Sequence, residues 1–389
     1  MFRIQTMNKI SPLGLELFPR DKYEVASEIP NPHAILVRSK DLHSTVIPDS
    51  VLAIARAGAG VNNIPIPLCS SRGIVVFNTP GGNANAVKEL VFAALLISSR
   101  NILGGWLWSL EIKGRADEVP DLVEKEKSRF EGPELRKKIL GVVGLGAIGV
   151  KVANDALALG MRVMGYDPFI SVDSAWNLSR RVMRADTLEG LLAKADYVTL
   201  HLPLADTTRG LFDAEKFRIM KKGARIINLA RGGLVNEADI INALNSGKLS
   251  AYVTDFPTAE LLLCPHAFCI PHLGASTPEA EDNCAIMAAK ELMDYLEFGA
   301  IKNSVNFPRC KLEFRSPHRL LVANRNIPNM VGQITTILAE ASINITDLIN
   351  HHHDEYAYHI IDTDQSIPQI QLEKLIDIDG VIKVRVLKR

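Results

Sequence analysis

Gly144, Gly146 and Gly149 stand at G-x-G-x-x-G spacing between a short apolar run and a helical pattern, and a carboxylate, Asp167, follows. These residue types in this order suit the pyrophosphate and ribose of a dinucleotide. Gly144 permits a tight turn, Gly146 lets backbone approach phosphate, and Gly149 lets the helix pack closely on the preceding strand. Asp167 can accept hydrogen bonds from an adenosine ribose and would repel a 2′-phosphate, so the expected cofactor is NAD rather than NADP. Polar residues also gather where other apolar runs end. Arg38, Ser39 and Lys40 form one set, Arg56 to Asn63 (RAGAGVNN) a second, and Asn78 to Asn83 (NTPGGN) a third. Loops at the C-terminal ends of parallel strands are where such sheets bind ligands.

The elements that must position these residues follow from hydrophobic periodicity. Ile139–Val143 reads as a buried strand, Val150–Leu159 as a helix closed by Gly160, and Arg162–Tyr166 as the strand delivering Asp167. Upstream, Ala34–Val37, Leu52–Ala57 and Ile74–Phe77 read as short buried strands and Ala86–Ser99 as a buried helix. Residues 101–138 read as a crossing helix and a solvated loop, with Trp106 and Trp108 as packing residues. Beyond Asp167, strands at Tyr197–Leu200, Arg225–Leu229, Ala251–Thr254 and Phe268–Ile270 alternate with helices. They deliver His201, Arg231, Asp255 and His272 in turn. A long helix spans Pro278–Phe298, Asn306–Pro308 reads as a linker, and the tail has βαββαβ order.

The expected fold is α/β: two doubly wound parallel-sheet lobes plus a C-terminal ferredoxin-like domain. The first lobe is expected to take residues 1–100 and 276–306, the dinucleotide domain 101–275, and the tail domain 316–389.

Composition narrows the function classes. Lys plus Arg equals Asp plus Glu, 44 each, so no global charge attracts nucleic acid or an acidic membrane. The longest apolar stretch, Leu90–Ile97, is too short to span a bilayer, and the N-terminus lacks the apolar core of a signal peptide. Five scattered cysteines suit reduced thiols, and the expectation is a soluble, cytoplasmic protein. Cys264, His266, Cys269 and His272 lack a C-x-x-C pair, so no metal site is expected. His351–His353 reads as an exposed loop.

The order NTPGGN, GVVGLGAIG, YDP, HLPL, NLARGGLV, YVTDFP and PHLGAST resembles the D-isomer-specific 2-hydroxyacid dehydrogenases. Within them, VRSKDLH, RAGAGVNNI and the tail NRNIPNMVGQIT…SINITDL resemble the branch that oxidises 3-phospho-D-glycerate and carries an ACT domain. The resemblance covers essentially the whole chain.

It implies that Arg231 holds the substrate carboxylate, that His272 is the acid/base, and that Glu260 pairs with its imidazole. It further implies NAD contacts at Ala147, Ile148 and Asp167. Thr79, Leu202, Leu229, Ala230 and Asp255 would lie on the nicotinamide side, with Gly274 beside the histidine. Arg38 and Lys40 are candidates for the 3-phosphate, and Gly58, Ala59, Gly60 and Val61 offer N–H groups to the carboxylate. The ACT resemblance implies an L-serine site where two such domains meet. Asn324, Asn326 and Asn344 are its polar positions, Asn324 standing where a well-studied branch has histidine. A homodimer or homotetramer is implied. Another D-2-hydroxy acid, 2-oxoglutarate reduction, or a non-catalytic NADH-sensing role are the competing readings.

Overall fold

The computed structural model describes the whole chain, Met1–Arg389. Short apolar runs pair in parallel to build two sheets. The first contains β1 (Phe2–Met7), β2 (Tyr23–Ala26), β3 (Ala34–Val37), β4 (Ala53–Arg56) and β5 (Val75–Phe77), in the order β2-β1-β3-β4-β5. The sequence reading misses β1 and β2. Along FRIQTM only Ile4 is buried, so neither an unbroken apolar run nor a clear alternation marks β1.

The second sheet contains β6 (Ile139–Val143), β7 (Arg162–Tyr166), β8 (Met183–Arg184), β9 (Tyr197–Leu200), β10 (Ala224–Asn228), β11 (Leu249–Thr254) and β12 (Ala267–Cys269). Its order is β12-β11-β10-β9-β6-β7-β8, again parallel throughout. Strand order reverses between β6 and β9, the place where doubly wound sheets open to a ligand.

The chain divides into two compact units, Met1–Asn83 with Pro278–Arg389, and Ala84–Thr277. The helix Ala84–Ser99, which the sequence reading assigns to the first lobe, belongs to the second unit. Its Val87, Val91, Ala94 and Leu95 share a core with Leu140, Val142 and Ala153. The crossing segment holds helices Ile102–Glu111 and Val119–Glu126. Trp108 packs on Phe130 with ring centroids 5.5 Å apart, but Trp106 is 59% exposed and is not a packing residue within this chain.

The tail forms a third, antiparallel sheet of β13 (His318–Arg325), β14 (Ile345–His353), β15 (Tyr356–Thr363) and β16 (Val381–Lys388), ordered β14-β15-β13-β16. Helices Met330–Glu340 and Gln369–Ile376 cover one face. The other face has no core of its own. Leu321, Ala323, Tyr358 and Ile360 join Phe77, Leu292 and Tyr295 of the first unit's α/β part in one cluster.

Polar groups bind the same seam. Arg319, fully buried, forks onto Asp362 at 2.6 and 2.8 Å and spends its remaining nitrogen on the carbonyls of Phe298 and Leu312. Such an ion pair survives burial because every nitrogen of the guanidinium has an acceptor. The expected linker is part of this seam. Asn306 accepts from the Val76 N–H at 2.9 Å and donates to the Ile74 carbonyl and Ser70 hydroxyl, while Phe307 is buried. His351–His353 lie in strand β14, paired with Tyr358, Ala357 and Tyr356, rather than in a loop. No single helix is long and apolar enough to cross a membrane.

Candidate active site

The turn after β6 is built by its glycines. Gly144 has φ +91°, and a Cβ there would sit 2.5 Å from the His201 carbonyl oxygen at the end of β9. A Cβ on Gly149 would sit 2.0 Å from the Gly144 carbonyl oxygen, so helix and strand meet only because both residues are glycine. Gly146 is different: nothing lies within 4 Å of where its Cβ would be. It caps helix Ala147–Ala158 without any side-chain bond, which leaves the first-turn N–H groups, including those of Ala147 and Ile148, facing open space. Asp167, at the end of β7, accepts from the Leu145 and Phe169 N–H groups, each at 2.8 Å. Beside it opens a cavity of about 490 Å³, lined by Leu145, Tyr166, Ile170, Val182 and Arg184 among others.

A second cluster forms where β10, β11 and β12 end side by side. Arg231 follows β10, Asp255 follows β11, and His272 follows β12. Asn228, the last residue of β10 and fully buried, holds the Arg231 loop. Its side-chain Oδ1 accepts from the Ala230 and Arg231 N–H groups, and its Nδ2 donates to the Arg231 carbonyl at 2.9 Å and to the Tyr252 hydroxyl. The Arg231 guanidinium is exposed and donates only to the Ala230 carbonyl, at 2.7 Å. His272 is exposed and lies against Phe256, ring centroids 4.8 Å apart.

Asp255 is 1% exposed. One of its oxygens accepts from the Gly274 N–H at 3.3 Å, and the other has no partner. Burial raises its carboxyl above the ordinary range, and the neighbouring charges of His272 and Arg231 pull it back. Asp255, Phe256 and His272, with Gly232, Glu237 and Tyr252, line a cavity of about 760 Å³. His201, after β9, is pushed down to about 4 by burial and bonds the Thr199 hydroxyl at 3.0 Å, so it is a neutral packing group.

Glu260 lies exposed in the short helix Ala259–Leu262, capped by Thr258, and is not hydrogen-bonded to His272 in this structure. Sequence spacing missed the supporting Asn228 and Phe256. An amide inside the apolar run RIINLA is the signal that could have found the first. Leu229 is buried and Ala230 half-buried just past β10, and Leu202 is half-buried just past β9.

The first unit carries its own strand-end groups. Arg38 follows β3, with its carbonyl held by Arg56 and Asn63, and its guanidinium pairs with Glu281 at 2.7 Å. The Ser39 and Lys40 N–H groups both donate to the Asn8 side chain, while the Lys40 ammonium is exposed. After β4, Gly58 accepts from the Thr79 N–H at 3.1 Å and Ala59 from the Asn78 amide at 2.7 Å. The N–H groups of Ala59, Gly60 and Val61 make no bond within the chain. Thr79 is fully buried beneath this loop.

The tail's asparagines do not come together within one chain. Asn324 is buried near the end of β13 opposite Ala357, and Asn326 bonds Glu355 and Asp354 just beyond. Asn344 precedes β14 and bonds Asp364, at the level of His318, the other end of β13. Six residues of strand, about 20 Å, separate the two sets.

Residues 108–274 match the model of the D-isomer specific 2-hydroxyacid dehydrogenase NAD-binding domain. The D-3-phosphoglycerate dehydrogenase of Haemophilus influenzae is 30% identical over 382 residues, covering 94% of this chain and 89% of that protein. The chain belongs to the D-isomer-specific 2-hydroxyacid dehydrogenase family. The Archaeoglobus fulgidus D-3-phosphoglycerate dehydrogenase is 35% identical over 307 residues, 76% of this chain but 56% of that protein, so the chain spans little more than half of such relatives. Among solved structures, the NAD+-bound 3-phosphoglycerate dehydrogenase of Entamoeba histolytica superposes with a TM-score of 0.60. It is 26% identical and covers 78% of this chain and 98% of its own.

The residues present fit the family's cofactor. Open space above Gly146 and uncapped N–H groups at a helix start suit a pyrophosphate. The fixed Asp167 carboxylate suits a ribose, and the unpartnered Asp255 oxygen, buried at the strand ends, suits a donor on the ligand.

Proposed function

We propose that this family member oxidises 3-phospho-D-glycerate to 3-phosphohydroxypyruvate with NAD, the entry step to L-serine. The observation that carries the reading is the convergence of Arg231, Asp255 and His272 on three adjacent strand ends of the sheet that bears the glycine turn. When bound, NAD supplies the acceptor for the hydride leaving C2. The exposed Arg231 guanidinium offers two parallel N–H donors to the substrate carboxylate, a geometry lysine cannot reproduce. An imidazole nitrogen of His272 takes the hydroxyl proton and, in reduction, returns it to the ketone oxygen. Glu260 is assigned to pair with that imidazole, and the buried Asp255, which feels the charges of His272 and Arg231, is assigned to the nicotinamide side. In the first unit, Arg38 and Lys40 are assigned to the phosphate and the free N–H groups of Ala59, Gly60 and Val61 to the carboxylate.

NADH absorbance during turnover tests this. Faster turnover of 3-phospho-D-glycerate than of D-glycerate or D-lactate is expected. Equal turnover of the unphosphorylated acids, or tight NADH binding with no turnover of any acid, overturns it.

The βαββαβ tail is assigned as an ACT domain that binds L-serine between two copies. Support comes from the asparagine positions: one chain holds Asn324 and Asn326 at one end of the sheet and Asn344 at the other, so a complete set needs a second chain. Light scattering should show a homodimer or homotetramer, and L-serine should change its melting temperature. Five unpaired thiols support work in a reducing cytoplasm.

A further inference from the structure

We propose that Glu281 is a built-in stand-in for the substrate's phosphate, which must displace it from Arg38. It thereby weakens binding of acids with anionic tails and is indifferent to uncharged ones. The proposal rests on the assignment of Arg38 to the phosphate. Its geometry is local. Arg38 presents its guanidinium from a backbone fixed on both sides, by Arg56 and Asn63 on its carbonyl and by Asn8 on the next two N–H groups. Glu281 meets that guanidinium at 2.7 Å from the first turn of helix Pro278–Phe298.

That helix does not depend on the contact. The next residue, Asp282, accepts from the Ser11 hydroxyl, and Gly14 packs so tightly on Ala285 that a Cβ would lie 2.6 Å from its backbone. Glu281 can therefore swing off Arg38 by side-chain rotation while the helix stays seated.

Charge and exposure decide the direction. The two side chains are 36% and 40% exposed, and ion pairs so accessible to water are weak. A phosphate, with close to two negative charges and three acceptor oxygens, outcompetes a single carboxylate on a guanidinium. A hydroxyl tail cannot, and it leaves the Arg38–Glu281 pair closed.

Titration calorimetry with 3-phospho-D-glycerate on wild type, Glu281→Gln, Arg38→Ala and the double variant tests this, with D-glycerate as the uncharged-tail control. The expected result is about two- to fivefold tighter binding of the phosphorylated acid to Glu281→Gln. No gain is expected in the Arg38→Ala background, and no change for D-glycerate. An unchanged affinity in Glu281→Gln, or an equal gain with and without Arg38, overturns the proposal. Weaker binding to Arg38→Ala with no effect of Glu281→Gln removes the stand-in and keeps the phosphate assignment. If Arg38→Ala binds the phosphorylated acid as tightly as wild type, the phosphate assignment falls and takes the stand-in with it.

Discussion

Arg231 and Arg38 both follow a parallel strand, yet their surroundings differ. Arg231 touches one backbone carbonyl and is otherwise open, whereas Arg38 is closed by a carboxylate. The backbone behind each is fixed by an amide side chain, Asn228 in one unit and Asn63 in the other. What separates them is the partner on the guanidinium. A ligand group that every 2-hydroxy acid carries, its carboxylate, meets a cation that needs no exchange. A group that only some acids carry meets a cation that must first give up an internal anion. Under the proposed assignments, affinity resides at the first arginine and selectivity at the second.

The sharpest way to break this contrast is at the chemistry beside Arg231. Replacing His272→Asn should lower kcat about 10²- to 10⁴-fold for every acid tested, measured by initial rates. Arg231→Lys should come next, lowering kcat/KM by about 10- to 100-fold, the cost of a charge-assisted pair. It should do so equally for phosphorylated and unphosphorylated acids. A loss confined to phosphorylated acids would reverse the two arginines' roles.

Asn228→Ala should cost about 1–3 kcal/mol of stability, read by urea unfolding, because it leaves the buried Tyr252 hydroxyl and the part-buried Ala230 and Arg231 N–H groups without this partner. Its kcat/KM loss should be smaller than that of Arg231→Lys, since the guanidinium remains.

A last effect, on stability alone, concerns the frame behind Arg38. Glu291, 5% exposed on the same helix as Glu281, is raised by burial from 4.5 to about 8, with one oxygen unpartnered and the other accepting from Asn303. Between pH 4.5 and 8 the folded chain keeps a proton that the unfolded chain releases, so this residue's contribution to stability falls as pH rises through that window. Glu291→Gln should therefore unfold at higher urea than wild type at pH 8 and lose that advantage by pH 5.

Much of this molecule is legible in its sequence because the relevant information is local. The strand, glycine turn, helix, second strand and Asp167 follow from residue spacing along one short stretch, and β6, β7 and β9 fall where the apolar runs place them. The βαββαβ order of the tail is legible for the same reason. Pairings between distant segments are not. Asp255 is one example: its place after β11 is legible, whereas its burial and its nearness to His272 and Arg231, from two other strand ends, arise only in the folded sheet. Composition marked Asn306–Pro308 as a linker, whereas its amide completes the bonding of β5 and its phenylalanine enters a core shared with the tail.

Sequence by itself determined the chain of strands and helices, the glycine turn and the acid that follows it, since backbone preference and apolar period act between near neighbours. Only the tertiary structure decided that Glu281 closes Arg38, that helix Ala84–Ser99 serves the second unit, and that the tail's sheet shares its core with the first. Those outcomes depend on which surfaces meet once the chain has folded.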